Sequence, residues 1–472
     1  MGMNAKNGAR LLALLAAAGF ALLGHESAVA AGPGTYSFQL LATVGDAIPS
    51  AAGGHFVNDF EAGGLANSGA IAFGADVSTG GEGVFLMRRG QITELARTGD
   101  AAPGGGTFDF AFLGPVTQND AGDATFVFVL APFTLPVGSN AGLYRYSHAA
   151  RALTPIVIPF VTPAPGGGTF QGVFFQPTIN NRNDVVFAGI VPTDQGIHVP
   201  GEDYIGLGEG IFRADARDVI SMLVVPGDPA PGGGTFDFAI GSWSNDAGVV
   251  AFIGHVAGDE ILPPGFPPQA VQIGALTNLY VRDADGTIRA LVRAGDPAPG
   301  GGVFRSVPYT MPNNGGDIVF TGDLTPAPGV SRDLGVFLHS NGVITTIARP
   351  GDSMPGGGHL VSASLVNNNI HINNRGEVVF SAMLDSDLDN DGTADTGLFE
   401  WSAGQLRLIA RSGTVLPGIG TIYQLAAAEL VIPPPPFVTP TSAAVNNDHG
   451  QVLFQATLTN GAVVFLEATP AK

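Results

Sequence analysis

The 472-residue chain contains no cysteine, and its only lysines are Lys6 and Lys472. Without cysteine it can form no disulfide, thiol nucleophile, cysteine-ligated metal site or lipid-modified cysteine anchor. Acidic residues outnumber basic residues by 40 to 20, which gives a formal charge of −20 at pH 7. Because this charge repels a phosphate backbone, we expect no nucleic-acid partner.

Long apolar runs and heptad repeats are also missing from most of the chain. The exception is the start, where Lys6 and Arg10 precede an apolar run at 11–23 and an Ala-Val-Ala sequence at 28–30. This order predicts a signal peptide at 1–30, cleaved before Ala31. We therefore expect a secreted or periplasmic protein with one domain at 31–472, no membrane span and a monomeric state.

Glycine is abundant, with 69 residues, and it recurs in a repeated motif, Asn-x-x-Gly-x-x-x-Phe. Degenerate copies start at Ala66 and Asn180, and the phenylalanines of the seven copies lie 53 to 74 residues apart. The regular copies start at Asn119, Asn245, Asn313, Asn373 and Asn447. A fixed period of this length indicates a repeat architecture.

Two further patterns divide each repeat. Gly-Asp-x-x-Pro-Gly-Gly-Gly-x-Phe marks a turn before one strand, and short segments such as Gly-Val-Phe at 83–85 mark another strand. In the second repeat the patterns predict strands a, b, c and d at 107–114, 123–129, 142–146 and 152–158. The b strands are continuous apolar runs, which is typical of strands buried on both faces.

Seven units of four strands predict an all-β fold, a seven-bladed β-propeller. The chain opens with a d-type strand at 36–44 and closes with a, b and c strands only. The N-terminal strand is therefore expected to complete the C-terminal blade, which removes an open sheet edge. An open β-solenoid is the alternative, but it does not explain why the missing strand lies at the other end.

The Asn-x-x-Gly-x-x-x-Phe repeats resemble a tandem-repeat family of bacterial secreted proteins with a choice of C-terminal anchor. The blade rhythm is also similar to that of TolB-like propellers. The resemblance spans roughly residues 36–469 and implies export and a repeat fold, but no particular activity. This chain departs from the family pattern because it carries no recognisable anchor.

The b–c loops hold the variable insertions, at 130–141, 190–209, 255–277, 324–334 and 385–396. In a propeller they share one face with the d–a loops, and insertions on one face of a repeat fold indicate a binding face. Harmless drift of loop sequence is the alternative. The inserts carry His198, Tyr204, His255 and Phe266, and these side chains favour binding.

The last of these inserts contains a pattern of calcium ligands. Carboxylates at Asp387, Asp389, Asp391 and Asp395 occupy positions 1, 3, 5 and 9 of a loop with glycine at position 6. The carbonyl of Thr393 would supply position 7, and Leu398 stands where an EF-hand has its bidentate Glu. We expect one structural Ca²⁺ with a dissociation constant on the order of 10⁻⁴–10⁻³ M. An acidic surface turn is the alternative.

A second set of acids repeats in the d–a loops. Arginines precede three of them by three residues, which favours turn aspartates bonded to backbone or arginine over a ring of free carboxylates. These aspartates are Asp46, Asp100, Asp228, Asp296 and Asp352.

No local catalytic motif is present, and the catalytic residues are unknown. We therefore expect a non-enzymatic propeller that binds an extracellular polysaccharide or protein through its loop-rich face. The alternatives are a polysaccharide hydrolase or lyase with its site at the channel mouth, and a structural envelope component.

Overall fold

The computed structural model describes residues 29–31, 36–50, 52–111, 116–131, 140–192, 207–257, 277–324, 334–363, 370–389, 391–425 and 444–471. All secondary-structure elements in these segments are β-strands. Among the described residues, no helix is long and apolar enough to cross a membrane.

The strands form seven antiparallel sheets, which are the blades of a propeller. Two strands precede the first blade, β1 (Val29–Ala31) and β2 (Tyr36–Thr43). Blade 1 contains β3 (Phe56–Leu65), β4 (Ile71–Val77), β5 (Glu82–Arg88) and β6 (Gln91–Arg97). Blade 2 contains β7 (Thr107–Ala111), β8 (Thr117–Gln118), β9 (Ala124–Ala131), β10 (Ala141–Ser147) and β11 (Ala152–Val157).

Blades 3 to 5 each have four strands in sequence order. Blade 3 contains β12 (Gly172–Ile179), β13 (Val185–Pro192), β14 (Leu207–Ala214) and β15 (Ile220–Val224). Blade 4 contains β16 (Phe236–Ser244), β17 (Val250–Val256), β18 (Asn278–Arg282) and β19 (Ile288–Val292). Blade 5 contains β20 (Ser306–Pro312), β21 (Ile318–Asp323), β22 (Leu334–Ser340) and β23 (Val343–Ala348).

The last two blades, like blade 2, have a divided first strand. Blade 6 contains β24 (Leu360–Ala363), β25 (Ile370–Ile372), β26 (Val378–Leu384), β27 (Thr396–Ser402) and β28 (Gln405–Arg411). Blade 7 contains β29 (Val415–Leu416), β30 (Gly420–Gln424), β31 (Val445–Asn446), β32 (Val452–Leu458), β33 (Val463–Pro470) and, as its outer strand, β2.

The ring closes as the sequence predicts. Strand β2 pairs antiparallel with β33, from Tyr36 opposite Pro470 to Thr43 opposite Val464. The all-β class and the seven-bladed propeller are confirmed. Strand β1 adds to the outer edge of β2, and its residues overlap the cleavage position predicted before Ala31.

Blades 1 to 5 each pack through three aromatic rings, whereas blade 6 has the pair Phe380 and Phe399. In blade 5 the rings of Phe304, Phe320 and Phe337 have centroids 4.9–5.8 Å apart, and all three are buried. A Cβ on Gly322 would lie 2.7 Å from the Phe304 ring. The glycine two residues after Phe320 is therefore required by this packing.

The antiparallel order places two kinds of connection on each side of the ring. The d–a and b–c connections emerge on one side, named here the loop face. The a–b and c–d connections emerge on the other side, named here the turn face. In the d–a loop at 227–236, Gly232, Gly233 and Gly234 all have positive φ, of 93°, 114° and 78°, which explains the glycine triplet.

Candidate functional site: the central channel and its two faces

On the turn face, the first asparagine of each repeat joins its blade to the next. Its Nδ2 donates to the backbone carbonyl of the equivalent residue in the following blade, for example Asn245 to Asn313 at 2.9 Å and Asn373 to Asn447 at 2.8 Å. Ala66 accepts such a bond from Asn447 but has no side-chain amide to donate the next one. The Gln118 side chain bridges that seam instead, by donating to the carbonyl of Gly64.

The next residue of each repeat forms a second, closed ring, named here the mouth ring. Each Oδ1 accepts the backbone N–H of the equivalent residue in the preceding blade, at 2.7–2.9 Å. The members are Asn67, Asp120, Asn181, Asp246, Asn314, Asn374 and Asp448. The motif therefore links blades as well as making turns.

The three aspartates of the mouth ring are held by their asparagine neighbours. The Oδ2 of Asp246 accepts from Asn181 at 3.0 Å and from Asn314 at 2.7 Å, and Asp120 and Asp448 are bonded in the same way. Burial alone would raise the pKa of Asp448, but the hydrogen bonds from Asn374 and Asn67 outweigh it and lower that pKa.

The channel contains a cavity at the mouth ring that is open to solvent. Trp243, Thr178, Ser244, Met311 and His371 line it together with the ring residues. The Thr178 and Ser244 hydroxyls have no hydrogen-bond partner. Among the described residues of its lining, the charged side chains are the three ring aspartates, and the other titratable group is His371.

Apart from the aspartates of the mouth ring, the cavity has His371 as a titratable group, and its hydrogen bonds fix its protonation. Its Nδ1 lies 2.7 Å from Oδ1 of Asn446, whose Nδ2 donates to the carbonyl of Glu377. This places the proton on Nδ1 and leaves Nε2 as an acceptor. Burial lowers the pKa of His371 to about 4, so its imidazole is neutral at pH 7.

On the loop face, the repeated aspartates are tied to the backbone as the sequence predicts. Each Oδ2 accepts the N–H of the residue three positions earlier, at 2.8–3.0 Å. Where the residue three positions before the aspartate is an arginine, its side chain donates hydrogen bonds to backbone carbonyls of the glycine-rich loop that precedes the same blade. Arg349 donates to the carbonyls of Pro299 at 2.6 Å and Gly301 at 2.7 Å. Arg97, Arg293 and Arg411 make equivalent contacts.

An acidic group lies at the loop-face end of blade 1. Glu61 is opposite Gly74, and Asp76 is opposite Glu82, on the same side of the sheet. Desolvation, and then the charges of Asp59, Glu82 and Asp76, raise the pKa of Glu61 to about 7. Sequence reasoning missed this group because its members come from three strands.

At the loop-face end of blade 4, an aspartate and a histidine lie together. Nδ1 of His255 lies 2.7 and 2.8 Å from the two carboxylate oxygens of Asp237, and its ring stacks on Phe238 at 5.3 Å. The side chain is 2% exposed, and its Nε2 has no partner. His198, Tyr204 and Phe266, predicted with His255 to mark the binding inserts, lie outside the described residues.

The structure brings together three of the predicted calcium ligands. Carboxylate oxygens of Asp387, Asp389 and Asp391 lie within 4.8 Å of one another. The Thr393 N–H and hydroxyl both donate to Oδ1 of Asp391 at 2.7 Å. Asp395 is buried and accepts from Arg411 at 2.5 Å. It is not one of the three carboxylates that lie together.

Fold and channel together define a seven-bladed β-propeller with a polar, hydrogen-bonded channel. The chain belongs to a family of unknown function, DUF7453, whose profile matches residues 13–466. No curated protein matches the chain.

Solved structures similar to this chain share little sequence with it. They include a puromycin-hydrolyzing peptidase of Mycobacterium tuberculosis, with 12% identity, a TM-score of 0.46, and coverage of 85% of this chain and 49% of the peptidase. This chain thus spans about half the length of that protein. A gluconolactonase of Xanthomonas campestris has 11% identity, a TM-score of 0.32, and coverage of 92% and 90%. An ulvan lyase has 10% identity, a TM-score of 0.35, and coverage of 75% and 79%.

Proposed function

We propose that this protein is a secreted, non-enzymatic propeller that binds an extracellular polysaccharide or protein through its loop face. The supporting observation is the contrast between the two faces. On the turn face the mouth ring joins every blade to the next, so its carboxylates serve as framework. On the loop face, arginine side chains bond the glycine-rich loops and hold strand ends in place, and the sequence inserts between the b and c strands differ in length. A fixed scaffold with variable loops is the usual arrangement of a binding surface.

One observation favours a second function, that of a polysaccharide hydrolase or lyase. A carboxyl group with a pKa near 7 can exchange a proton at neutral pH, which general acid–base catalysis requires. Glu61 has this property. Its neighbours Asp59 and Asp76 would supply the second carboxylate that glycoside hydrolysis needs.

One experiment separates the two functions. Purified protein is incubated with neutral and acidic cell-wall polysaccharides, and both retention on the polymer and polymer length are measured. Retention without shortening supports the binding protein. Shortening that is lost in Glu61→Gln but kept in Asp285→Asn, an exposed control on the turn face, supports the enzyme. Binding to cell-surface proteins is measured in parallel. If no polymer is retained or shortened and no cell-surface protein is bound, both proposed functions are rejected.

We also propose that Asp387, Asp389 and Asp391 bind one Ca²⁺ and thereby fix the insert of blade 6. Three carboxylates gathered within 4.8 Å repel one another, and a divalent cation would remove that repulsion. Desolvation and the charge of Asp391 raise the pKa of Asp389, which is consistent with an uncompensated acidic group.

A further inference from the structure

We infer that the turn face carries an anion-binding site at the seam between blades 3 and 4, formed by Arg213 and Arg282, and that its ligand is a carboxylate. Arg213 belongs to β14 of blade 3, and Arg282 is the last residue of β18 in blade 4. Both strands enter their c–d turns at this end, so the site is separate from the loop face, where the proposed function places binding.

The preceding seam, between blades 2 and 3, shows how an arginine at this position is neutralised. Arg145 holds the place in β10 that Arg213 holds in β14, directly after the aromatic residue opposite the motif phenylalanine. Its guanidinium crosses to blade 3, where it donates to two backbone carbonyls at 3.0 Å. It also forms a salt bridge of 2.9 Å with Asp218 in the c–d turn of blade 3.

The seam between blades 3 and 4 lacks this carboxylate. Asp218 and Gly286 hold the same place in their c–d turns, because each N–H donates to the first carbonyl of its turn at 2.9 Å and each residue has a positive φ. Blade 4 therefore has glycine where blade 3 has the acid. It also adds a second cation, since Nη2 of Arg282 lies 3.2 Å from the place of a Cβ on Gly286.

The two arginines share this seam without a counter-ion. Neither Arg213 nor Arg282 forms a salt bridge with a residue in the described part of the chain. Desolvation, and then the charge of Arg213, lower the pKa of Arg282, so the two cations repel each other. Both residues are partly exposed, and of their guanidinium nitrogens only Nε of Arg213 is buried without a partner. A ligand in solvent can therefore reach the other nitrogens.

The acids near the seam are already engaged. Asp283 accepts two hydrogen bonds from Arg289, at 2.8 and 2.9 Å. Asp215 and Asp285 each accept N–H groups of their own turns through Oδ1. The charge of Asp285 acts on Arg282 in the opposite direction to that of Arg213, but its effect on the pKa is smaller.

The chemistry of two guanidinium groups decides the class of ligand. Each is planar and permanently charged, and its fork of N–H donors matches the two oxygens of a carboxylate. In the equivalent seam the partner is a carboxylate as well, that of Asp218. The net charge of −20 opposes anions at long range, but beyond about 8 Å it is screened at physiological salt. A sugar acid and a small organic acid carry the same group.

The test is calorimetric titration of the purified full-length protein with D-galacturonate, acetate and neutral D-galactose. We expect saturable binding of galacturonate at millimolar concentration, weakened by added salt, and binding of galactose weaker by about tenfold or more. Tighter binding of galacturonate than of acetate identifies a sugar acid as the ligand, and equal binding identifies the carboxylate alone. If neither anion binds at tens of millimolar, or if galactose binds as well as galacturonate, the inference is wrong.

Substitutions distinguish this site from the loop face. Arg213→Gln and Arg282→Gln should each weaken galacturonate binding about tenfold. Arg407→Gln, which changes an exposed arginine of blade 6, should leave it unchanged. Unchanged affinity in both seam variants, with thermal melting showing folded protein, would overturn the inference.

A further variant supplies the missing acid. Gly286→Asp copies the turn of blade 3, where Asp218 has a φ of 61°, and its carboxylate should compete with the ligand and weaken binding. Gly286→Ala is the matched control, because it imposes the same backbone strain without a carboxylate. Equal affinities of the two variants for galacturonate would contradict the assignment of the site to this turn.

Discussion

Asn67 and Asp448 exchange two hydrogen bonds of 2.9 Å across the seam between the first and the last blade. The Asp448 N–H donates to Oδ1 of Asn67, and Nδ2 of Asn67 donates to Oδ2 of Asp448. The two residues are 381 positions apart. This pair closes the mouth ring, so the ends of the propeller are joined by side chains as well as by the pairing of β2 with β33.

Removing this carboxylate should destabilise the whole ring. Asp448→Ala deletes acceptors for Asn67 and for both the side chain and the N–H of Asn374. We expect a loss of about 2–4 kcal/mol in the free energy of unfolding, since each bond to a charged group contributes roughly 1 kcal/mol or more. The measurement is urea denaturation. Asp46→Ala, which removes one acceptor from an exposed turn, should cost about 1 kcal/mol or less. Equal losses in the two variants would contradict the closing role of Asp448.

The buried His371 should make the protein less stable in mild acid. Its folded pKa of about 4 lies below the unfolded value of about 6.5, so between these pH values the unfolded chain binds the extra proton. Stability is therefore full above pH 6.5 and falls by about 3 kcal/mol as the pH drops to 4. Unfolding curves at pH 7 and pH 4.5 should show a smaller difference for His371→Gln than for the wild type. The exposed His55→Gln variant should keep the wild-type difference.

Glu61 should have the opposite pH dependence. Its folded pKa of about 7 lies above the unfolded value of about 4.3, so the folded chain holds the extra proton between them. Its contribution to stability is present below pH 4 and is lost as the pH rises through 7. Glu61→Gln should therefore melt higher than the wild type at pH 8 and at a similar temperature at pH 4. A parallel shift at both pH values would argue against the raised pKa.

Calcium should raise the melting temperature if the blade 6 insert binds it. Because the ion binds only the folded loop, millimolar Ca²⁺ stabilises the folded state by mass action. Calorimetric titration should give one site, and Asp389→Ala and Asp391→Ala should abolish it. Asp385→Ala, which removes an acid nearby that is bonded to His359, should leave the calcium response intact. If titration to millimolar Ca²⁺ gives no heat of binding, the proposed calcium site is wrong.

Deleting residues 36–43 should expose the edge of β33. Without β2, blade 7 loses its outer strand and the packing of Phe38 against Phe454, at 6.2 Å. An unpaired strand edge promotes association between chains, so we expect aggregation in light scattering. Restoring the segment as an added synthetic peptide should reduce it, whereas a scrambled peptide should have no effect.

The repeat arrangement could be predicted because its signals are local. In the second repeat the predicted b, c and d strands fall within about two residues of β9, β10 and β11, and the a strand falls on β7. The order of strands at the two ends was enough to predict the pairing of β2 with β33. The turn aspartates were also predictable, since Asp296 bonds a residue three positions away.

The channel could not be predicted in the same way, because its contacts join residues from different blades. An Asn or Asp at the second position of the motif is visible in every repeat of the sequence, but Asp246 and Asn314 are 68 positions apart. Trp243 could be placed in the cavity only by the packing of the first strands. Asp395 has the spacing of a calcium ligand, yet it pairs with Arg411 because β28 lies beside the loop.

The sequence by itself determined the seven repeats, the strand type of each segment and the closure of the ring. These follow from short-range patterns of burial and turn chemistry, which act within a single blade. Tertiary structure alone decided which side chains meet around the axis. It set the hydrogen bonds of the mouth-ring aspartates, left the Thr178 hydroxyl without a partner and raised the pKa of Glu61. Their chemistry arises from neighbours on other strands and other blades, and only the closed ring sets the distances between them.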